Sequence, residues 1–481
     1  MTHVAAPVLQ YPFLLNGKWV SEGQPTDIRS PFDQSVVGQV YSGNRTHVEA
    51  AIRAAMDAFA VTRKIGSYER ERILSEISEG IATRREEFAQ TIALESGKPI
   101  KTARHEVERA VYTFKVAAEE ASRIAGEYLA LDTLQATAGR WGMVRRFPLG
   151  PIFAITPFNF PLNLVAHKLA PAIAAGCPII LKPAPQTPIT SLKLAEIIHG
   201  AGWPPGALAV MPLSNEDAGI LVADERIKLL TFTGSSVGWD LKSRAGKKRV
   251  LLELGGNAGV IIHSDADLPF AAHRCAVGGF SYAGQSCISV QRILVERSVN
   301  QKFTDLFVTE VRKLKLGNPL SESTDVGPLI RESDAIRAEQ WVREAVAQGA
   351  TLLCGGARTG SLLEPAVLTN TRPEMLVNCR EVFAPVVTVE PYDDFCDALL
   401  QVNTSPFGLQ AGIMTHDARL IFTAYNELEV GGLVVGDVPT FRIDHMPYGG
   451  VKDSGLGREG LRYAIEEMTE PRLLVMNIPP L

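Results

Sequence analysis

The run Pro151-Ile152-Phe153-Ala154-Ile155-Thr156 predicts a short strand, and Pro178-Ile179-Ile180-Leu181 predicts a second one. A helical pattern over residues 162–175 lies between them. The alternation continues with a helix predicted at 191–200 and strands predicted at 207–211 and 228–232. Strands that are apolar on both faces need helices to cover those faces. This stretch therefore predicts a doubly wound α/β domain built on a parallel sheet.

The pattern changes on both sides of this stretch. Residues 48–127 show apolar spacing near 3.6 with charged outer positions, which predicts a series of helices. A second alternation predicts another α/β domain over residues 255–437, with strands at 260–262, 292–295 and 386–389. Near the C-terminus, Leu473-Leu474-Val475-Met476 predicts a short strand with no obvious local partner. Such a strand often pairs with another subunit.

The bulk properties narrow the class of protein. A length of 481 residues suggests about three structural units, and 46% apolar with 21% charged residues is typical of a globular protein. The net charge of −5 gives no argument for a nucleic-acid partner. No apolar run is long enough for a membrane helix, and the first six residues lack the features of a signal peptide. Six cysteines without CxxC spacing argue against a disulfide framework or a metal site. We therefore expect a cytoplasmic, metal-free protein with no nucleic-acid or membrane partner.

Three polar residues are candidates for chemistry. Cys287 follows Gly284-Gln285-Ser286, so its sulfur is not part of an apolar run. Glu253 ends an apolar run, where a carboxylate is costly unless it has a function or a partner. A thiol attacks carbonyl carbon and a carboxylate activates water, so the pair predicts oxidation of an aldehyde if another site accepts a hydride. Asn159, between two aromatic residues and two prolines, is a candidate oxyanion donor. Taken singly, these residues also fit a buried structural cysteine, a solvated glutamate and a turn asparagine.

Two other motif matches offer alternatives. Residues 455–460 match G-x-G-x-x-G, but polar residues precede them where a buried strand should end, which favours a loop. Gly234-Ser235-Ser236-Val237-Gly238 matches the nucleophile elbow G-x-S-x-G between a predicted strand and helix. That match permits a serine hydrolase with Ser236 as nucleophile and His416 or His445 as base. The same turn also suits pyrophosphate at a helix N-terminus, and a hydrolase has no use for the Glu253 and Cys287 pair.

Together these motifs resemble the aldehyde dehydrogenase superfamily over nearly the whole chain. Seven matching segments follow one another in the order Thr156-Pro157-Phe158-Asn159-Phe160-Pro161, Leu181-Lys182-Pro183-Ala184, Phe232-Thr233-Gly234-Ser235, Leu252-Glu253-Leu254-Gly255-Gly256-Asn257, Gly284-Gln285-Ser286-Cys287, Glu381-Val382-Phe383-Ala384-Pro385-Val386 and Pro447-Tyr448-Gly449-Gly450-Val451-Lys452. The interval between Glu253 and Cys287 is also typical of the family. The local sequence is most similar to the lactaldehyde, succinate-semialdehyde and phosphonoacetaldehyde dehydrogenase branches.

The resemblance implies a role for each catalytic candidate. Cys287 would attack the aldehyde and form a thiohemiacetal, whose oxyanion the Asn159 side chain and the Cys287 amide would hold. After hydride transfer, Glu253 would activate the water that hydrolyses the thioester. Because Glu253 is present, an obligate CoA-acylating enzyme is disfavoured. A catalytically idle relative with a structural role is a further alternative, against which the intact set of Cys287, Glu253 and Asn159 argues.

The resemblance also implies a site for NAD or NADP. Lys182 would contact the adenosine ribose, Gly234 and Ser235 the pyrophosphate, and Glu381 and Phe383 the nicotinamide ribose and ring. The remaining residues implied in this site are Ile155, Thr156, Pro157, Phe158, Pro185, Gly238 and Leu254. Family members that prefer NAD often carry a glutamate where this chain has Pro185. Because a carboxylate there would repel a 2′-phosphate, its replacement leaves both cofactors open.

The family fold implies two doubly wound α/β domains and a small β element for oligomerisation. Residues 1–120 and 146–254 would form the cofactor-binding domain, and residues 255–454 the catalytic domain. Residues 121–145 and 468–481 would form the oligomerisation element, joined by a returning segment at 455–467. The C-terminal strand would then pair across subunits in a homodimer or homotetramer.

The substrate is predicted from cations near the implied tunnel. Arg109 lies on a predicted helix that borders the tunnel in this family, and Arg442 and His445 precede the segment at its mouth. With the small, polar Ser286 before the nucleophile, these residues suit a short aldehyde that carries an anionic group. The alternative is that Arg109 pairs with Glu106 or Asp444 on the surface.

Overall fold

Two large sheets, each with parallel strands at its centre, organise the chain, and the computed structural model describes residues 8–478. The first sheet has eight strands in the spatial order Gly455–Leu456, Arg249–Glu253, Leu229–Thr233, Ile152–Ile155, Ile179–Lys182, Leu208–Val210, Phe13–Leu15 and Lys18–Val20. The five strands from Arg249–Glu253 to Leu208–Val210 run parallel. The strands outside them pair antiparallel. Four of the parallel strands lie where the sequence predicts them, at 151–156, 178–181, 207–211 and 228–232. The strand Arg249–Glu253 and the antiparallel strands extend the sheet beyond that prediction.

Within the described chain, nine helices belong to the same part of the structure as the first sheet. They are Arg45–Thr62, Ser67–Thr83, Arg85–Ser96, Ile100–Ser122, Asn163–Ala175, Pro188–Gly200, Asn215–Ala223, Val237–Arg244 and Leu461–Glu467. Strands and helices share one hydrophobic core, which includes Phe153, Ile173 and Leu230. One helix begins at Pro188 and not at the predicted residue 191, because proline suits a first helical turn and the buried Glu95 accepts from Ile189 N and Thr190 N.

The second large sheet has seven strands. Their spatial order is Thr351–Cys354, Ala366–Thr369, Val386–Tyr392, Val290–Glu296, Ala258–Ile262, Gln410–Met414 and Gly432–Val435. All but the first pair are parallel. The helices of this part of the chain are Leu268–Phe280, Arg297–Val311, Glu332–Ala347, Leu376–Cys379, Phe395–Asn403 and Ala418–Glu427. Its main core is separate from the first and includes Val260, Ile293 and Phe307. The predicted fold class of two doubly wound α/β units is therefore confirmed, while the boundaries drawn between domains stay a prediction.

A three-stranded antiparallel sheet contains the strand predicted near the C-terminus. The C-terminal strand, Thr469–Asn477, pairs with Arg140–Pro148 of the same chain, and Glu127–Ala130 pairs on the other side. The strand predicted around residues 473–476 therefore has a partner within the chain, which lies more than three hundred residues upstream and so cannot be seen in local sequence. One edge of Thr469–Asn477 is unpaired in the described chain, and its residues 473–476 expose apolar side chains.

Short elements complete the architecture. They are a sheet of Gln10–Tyr11, Val36–Val40 and Thr26–Arg29, the pairs Arg358–Thr359 with Leu362–Leu363 and Phe407–Gly408 with Val451–Lys452, and the single turns Gln135–Thr137 and Ser281–Gly284. Within residues 8–478, every helix is too short or too polar to cross a membrane.

Candidate active site

Cys287 is presented by a sharply turned backbone. Tyr282, Ala283 and Gly284 have φ of 50°, 53° and 69°, a left-handed conformation that non-glycine residues rarely adopt. Gly284 is required here, since a Cβ on it would collide with the Ala384 carbonyl oxygen. Gly256 is required for the same reason, because a Cβ there would collide with the carbonyl oxygen of Cys287. The glycines of two predicted motifs thus bring Cys287 against the turn that follows Glu253.

Cys287 lines a cavity of about 190 Å³ that suits a small substrate. The wall is formed partly by the helix Ile100–Ser122 and partly by the segment that follows the second sheet. The residues that matter for its chemistry are Arg109, Phe160, Ser286, Cys287, Arg442 and Tyr448. Burial raises the pKa of the Cys287 thiol to about 12, while a hydrogen bond with Tyr448 and the charge of Arg442 act to lower that pKa. The thiol therefore needs its polar neighbours to ionise.

Glu253 ends the strand Arg249–Glu253 and is only 4% exposed. A Cβ on Gly449 would lie 2.8 Å from Glu253 Oε1, so the carboxyl group lies against the residue that follows Tyr448. Its Oε2 has no hydrogen-bond partner within residues 8–478. Burial raises the pKa of Glu253 well above its ordinary value, and the negative charge of Glu459 raises it further. A carboxyl with a raised pKa and an unused oxygen is suited to take a proton from water.

Asn159 lies in the loop between Ile152–Ile155 and Asn163–Ala175 and is buried. Its Nδ2 donates to Gln285 O at 3.0 Å, two residues before the candidate nucleophile. An amide group has two donor hydrogens, so one remains for a ligand. The structure thus brings Asn159 to the Cys287 turn and places Glu253 within electrostatic range of the Cys287 sulfur.

Arg442 is held by a buried carboxylate that also binds a lysine. Glu459 accepts from Arg442 Nη2 at 2.9 Å and from Lys168 Nζ at 2.5 Å. Burial acts to raise the pKa of Glu459, but Lys168 and Arg442 outweigh it and hold that pKa at about 2. The Arg442 guanidinium also lies 3.6 Å from the centre of the Tyr448 ring. A fixed cation therefore forms part of the cavity wall.

Arg109 pairs with Asp444, as one predicted alternative has it, but the partner is not on the surface. Arg109 Nη2 donates to Asp444 Oδ1 at 2.6 Å, and the Asp444 side chain is 1% exposed while that of Arg109 is 30% exposed. Burial acts to raise the pKa of Asp444, but hydrogen bonds and charge from His167 and Arg109 hold it below its ordinary value. Glu106 is not a partner, because it binds Lys98 and the amides of Leu162 and Asn163. Arg109 therefore lines the cavity while the buried carboxylate of Asp444 holds its guanidinium in place.

The two other residues predicted to contact substrate occupy different positions. Ser286 lines the cavity beside Cys287. His445 is exposed and is not among the lining residues; its Nδ1 is hydrogen-bonded to Tyr112 Oη at 2.9 Å.

The residues predicted for the cofactor meet at one edge of the first sheet. Ile155 lies beside Lys182 and Phe232 in the parallel register, and Thr233 lies beside Glu253. Carboxyl ends of parallel strands are where α/β sheets bind nucleotides. Thr156, Gly234 and Leu254 follow these strand ends, and Gly238 packs against Leu254 with no room for a Cβ. The helix Val237–Arg244 begins just after Gly234 and the exposed Ser235.

Buried polar groups at this edge fit a polar ligand. Lys182 is buried, burial alone lowers its pKa, and no acidic side chain within residues 8–478 pairs with it. The hydroxyl oxygens of Thr156 and Thr233 also lack hydrogen-bond partners there. Buried polar groups normally have a hydrogen-bond partner. The ammonium of Lys182 and the two threonine hydroxyls could find theirs in the hydroxyl and phosphate oxygens of a bound dinucleotide. The Gly234 amide donates to Glu253 O at 2.9 Å, so it is not free to bind a phosphate. Gly234 can contribute only the space that its missing side chain leaves. Pro185 is exposed.

Glu381 and Phe383 reach this edge from the second half of the chain. Glu381 Oε1 accepts from Gly256 N at 2.8 Å, and burial raises the pKa of Glu381 to about 7. Phe383 has a φ of 51° and packs edge-on against Phe158, with ring centres 6.0 Å apart. Pro157 precedes Phe158 in the same loop. The two predicted cofactor contacts therefore lie between the first sheet and the turn that carries Cys287.

Comparison with known proteins decides the family. A model of the aldehyde dehydrogenase family matches residues 19–474. The chain belongs to the aldehyde dehydrogenase family. It is 43% identical to 3-sulfolactaldehyde dehydrogenase of Priestia aryabhattai, over 98% of this chain and 99% of the relative. The predicted activity of an NAD(P)-dependent aldehyde dehydrogenase is thereby confirmed.

Two solved aldehyde dehydrogenase structures share its fold and most of its length. Aldehyde dehydrogenase 21 of Physcomitrella patens, in complex with the reaction product succinate, has a TM-score of 0.97 and 45% identity, covering 98% of this chain and 99% of that chain. A glyceraldehyde-3-phosphate dehydrogenase of Methanocaldococcus jannaschii complexed with NADP has a TM-score of 0.92 and 38% identity, covering 95% and 100%.

The alternatives drawn from motifs gain no support in this aldehyde dehydrogenase. Ser236 is exposed and its side chain makes no hydrogen bond to a described residue, whereas the backbone of His416 and the ring of His445 bond elsewhere. The G-x-G-x-x-G match begins in the edge strand Gly455–Leu456, which pairs antiparallel with Leu252 and Glu253. It is not a turn after a parallel strand, so it lacks the setting of a dinucleotide fingerprint.

Several residues of the site could not be predicted from the sequence around them. Tyr448 stands in a segment that matches the family, but the motif does not predict its contact with Cys287. Glu459 lies inside the G-x-G-x-x-G match, which does not indicate its function, and His167 and Lys168 have no motif around them. The only local sign is a charge inside an apolar helix, as at His167-Lys168. Burial and the charge of Arg442 lower the pKa of His167, and its Nε2 lies 2.8 Å from Asp444 Oδ1.

A buried ion pair supports the floor of this site. Lys98 binds Glu106, and its ammonium lies 3.8 Å from the centre of the Phe160 ring and 4.6 Å from that of Tyr282. Lys98→Met leaves the Glu106 charge buried without a partner. We expect the free energy of unfolding to fall by about 3–5 kcal/mol. The urea unfolding midpoint measures it.

Lys64→Met, at an exposed position, is the matched control and should leave the midpoint unchanged. The double change Lys98→Met with Glu106→Gln should recover part of the loss, because it removes the uncompensated charge. Equal midpoints for Lys98→Met and Lys64→Met would contradict this account of the pair.

Proposed function

We propose that this aldehyde dehydrogenase oxidises a short aldehyde carrying an anionic group to the carboxylic acid. The observation that carries the proposal is that Arg109 and Arg442 line the same cavity as Cys287. Glu106 also lines the cavity, but its carboxylate is paired with Lys98, which lies outside the lining. The two guanidinium groups favour an anionic substrate tail.

The names of relatives agree with this substrate class. One relative is named for 3-sulfolactaldehyde, and one solved neighbour holds succinate. Sulfonate and carboxylate differ in shape but share negative oxygens that a guanidinium binds. The geometry supports the class of tail, and a screen with matched aldehydes is needed to choose its chemistry.

Each catalytic residue has one role in the proposed mechanism. Cys287 attacks the aldehyde carbon, and the second Asn159 amide hydrogen with the Cys287 amide holds the oxyanion. Lys182 and Glu381 would hold NAD or NADP at the edge of the first sheet, and the bound cofactor would supply the hydride acceptor. Glu253 then takes a proton from the water that hydrolyses the thioester on Cys287, which releases the acid. Because water hydrolyses the thioester, CoA is not needed to release the product, and we expect the acid to form without CoA.

The function is tested by following the absorbance of the reduced cofactor with paired aldehydes, using NAD and NADP in parallel. Succinate semialdehyde and butyraldehyde have the same number of carbons and differ in the terminal carboxylate. We expect kcat/KM to be higher for succinate semialdehyde, and equal values would contradict the anionic preference. Because Pro185 leaves no carboxylate to repel a 2′-phosphate, we expect turnover with NADP as well as NAD.

Arg109→Gln should selectively weaken oxidation of the anionic aldehyde. We expect the ratio of kcat/KM for succinate semialdehyde over butyraldehyde to fall by roughly 10–100-fold, because one charged hydrogen-bond donor of the cavity is lost. Asp444 keeps His167 and Asn163 as donors, so the pocket wall stays supported.

Arg104→Gln is the matched control on the same helix. Arg104 pairs with Glu86 and Glu322 outside the cavity, so the ratio should not change. An equal fall in kcat/KM for both aldehydes in Arg109→Gln would show that Arg109 supports the fold and does not bind the tail.

The proposed assembly is a homodimer or homotetramer. The exposed apolar side chains at 473–476 on the outer strand of the three-stranded sheet support it. Light scattering during size-exclusion chromatography tests it, and a monomer mass would contradict it. A reducing compartment, the cytoplasm, is proposed because all six cysteines carry free thiols.

A further inference from the structure

The hydroxyl of Tyr448 contacts the candidate nucleophile. Tyr448 Oη lies 3.1 Å from Cys287 Sγ, within hydrogen-bond distance for sulfur. Tyr448 is 3% exposed and lines the cavity. The mechanism described above gives this hydroxyl no function.

The Tyr448 ring is fixed in place from more than one side. The Arg442 guanidinium lies over it at 3.6 Å from the ring centre, and Glu459 holds that guanidinium. Ile288 and Leu409 pack with the ring in a small apolar cluster that also contacts Cys287. A ring held by a stacked cation and by apolar neighbours keeps its hydroxyl on the sulfur without a further loss of side-chain entropy.

The direction of the hydrogen bond follows from protonation. A thiolate has no hydrogen, so when Cys287 is ionised the phenol must be the donor. Burial raises the pKa of Tyr448 well above its ordinary value, so the phenol keeps its proton. The other groups that face Cys287 are Glu253 and Glu381, which oppose a negative sulfur, and Arg442, which favours one.

We propose that Tyr448 is a catalytic residue, whose hydroxyl donates a hydrogen bond to Cys287 Sγ and stabilises the thiolate that attacks the aldehyde. Ionisation breaks the S–H bond and transfers its proton to water, while the phenolic O–H bond stays intact. When the sulfur forms its bond to the aldehyde carbon, the negative charge moves to the oxyanion and the hydrogen bond weakens. The inference rests on the proposed function only in taking Cys287 as the nucleophile.

Tyr448→Phe tests the proposal because it removes the hydroxyl and keeps the ring beneath Arg442. The rate of alkylation by iodoacetamide is measured at neutral pH and then at increasing pH up to the most alkaline value at which the protein stays folded. Mass spectrometry with fragmentation follows Cys287 itself, since the tryptic peptide 275–292 also contains Cys275. We expect the apparent pKa of Cys287 to rise by roughly one unit and the rate near neutral pH to fall about tenfold.

Tyr392→Phe is the matched control. Tyr392 is also buried and its hydroxyl is 3.0 Å from His263 Nδ1, outside the cavity. Its loss should leave the alkylation profile unchanged. In steady state, Tyr448→Phe should lower kcat/KM about tenfold with the same shift of its pH profile, which a merely structural change in KM would not produce.

An unchanged Cys287 pKa in Tyr448→Phe, with an unchanged thermal unfolding midpoint, overturns the proposal. If the midpoint of Tyr448→Phe is lower, the alkylation profiles of the variant and of the unchanged protein are compared at a temperature at which circular dichroism shows both to be folded. Alkylation requires no aldehyde, so the proposed function can fail independently. Loss of the anionic preference would overturn the substrate assignment and leave the Tyr448 result standing.

Discussion

Cys287→Ser is expected to reduce NAD(P)-dependent aldehyde oxidation by at least roughly 10⁴-fold, the largest loss that any single substitution should cause. A serine hydroxyl is a weaker nucleophile than a thiol, and its much higher pKa leaves essentially no anion at neutral pH. The substitution is nearly isosteric, and the strained turn before it is unaffected. Reduced-cofactor absorbance with saturating aldehyde measures the loss.

The specificity of this loss is checked with Cys396→Ser and with cofactor binding. Cys396 is exposed, and its replacement should leave kcat and KM unchanged. Cofactor fluorescence titration of Cys287→Ser should give an unchanged dissociation constant, because the residues that fit the cofactor are intact. Retained turnover in Cys287→Ser would refute its role as nucleophile.

Glu253→Gln should slow the release of acid while leaving the first turnover nearly intact. The amide cannot take a proton from water, so the steady-state rate should fall by roughly 10²–10⁴-fold. Hydride transfer precedes hydrolysis, so a burst of reduced cofactor equal to the concentration of sites should remain. Stopped-flow absorbance separates the burst from the slow steady state, and Glu427→Gln, at an exposed position, provides the control.

The pH profile gives a second expectation for Glu253. The group acts when deprotonated, so kcat should rise with pH as the proton leaves. Burial and the charge of Glu459 raise the pKa of Glu253, so this rise should occur at a higher pH than an ordinary carboxyl would give. Glu253→Gln should lack this limb of the profile. Loss of the burst together with the steady state would instead place Glu253 in the first chemical step.

The fold was largely predictable because its signals are local. Buried runs such as Ile179-Ile180-Leu181 and the helical pattern before them occupy one stretch of chain, and parallel pairing follows from their alternation. The pairing of Thr469–Asn477 with Arg140–Pro148 was not predictable in this way. Its partner is distant in sequence, and nothing in either strand specifies the register.

In the candidate site, too, residues with an unusual local sequence are predictable and residues defined by distant contacts are not. Cys287, Glu253 and Asn159 can be predicted as candidates because glycines, prolines and the ends of apolar runs make their surroundings unusual in sequence. Arg109 and Arg442 stand out in the sequence as cations, and Asp444 is predicted as a possible surface partner of Arg109, but neither the burial of Asp444 nor the partner of Arg442 is apparent there. Asp444 and Glu459 bind groups on the helix Asn163–Ala175, nearly three hundred residues away, and only the folded chain shows these carboxylates to be buried. The charge of the cavity therefore could not be worked out from sequence alone.

The most direct test of the central claim is the mass of the Cys287 peptide after one turnover. Glu253→Gln is mixed with succinate semialdehyde and cofactor, quenched in acid at the end of the burst, and digested. The account predicts an added succinyl group on Cys287, located by fragmentation apart from Cys275, in an amount equal to the burst. An unmodified Cys287, or an acyl group on another residue, would contradict it.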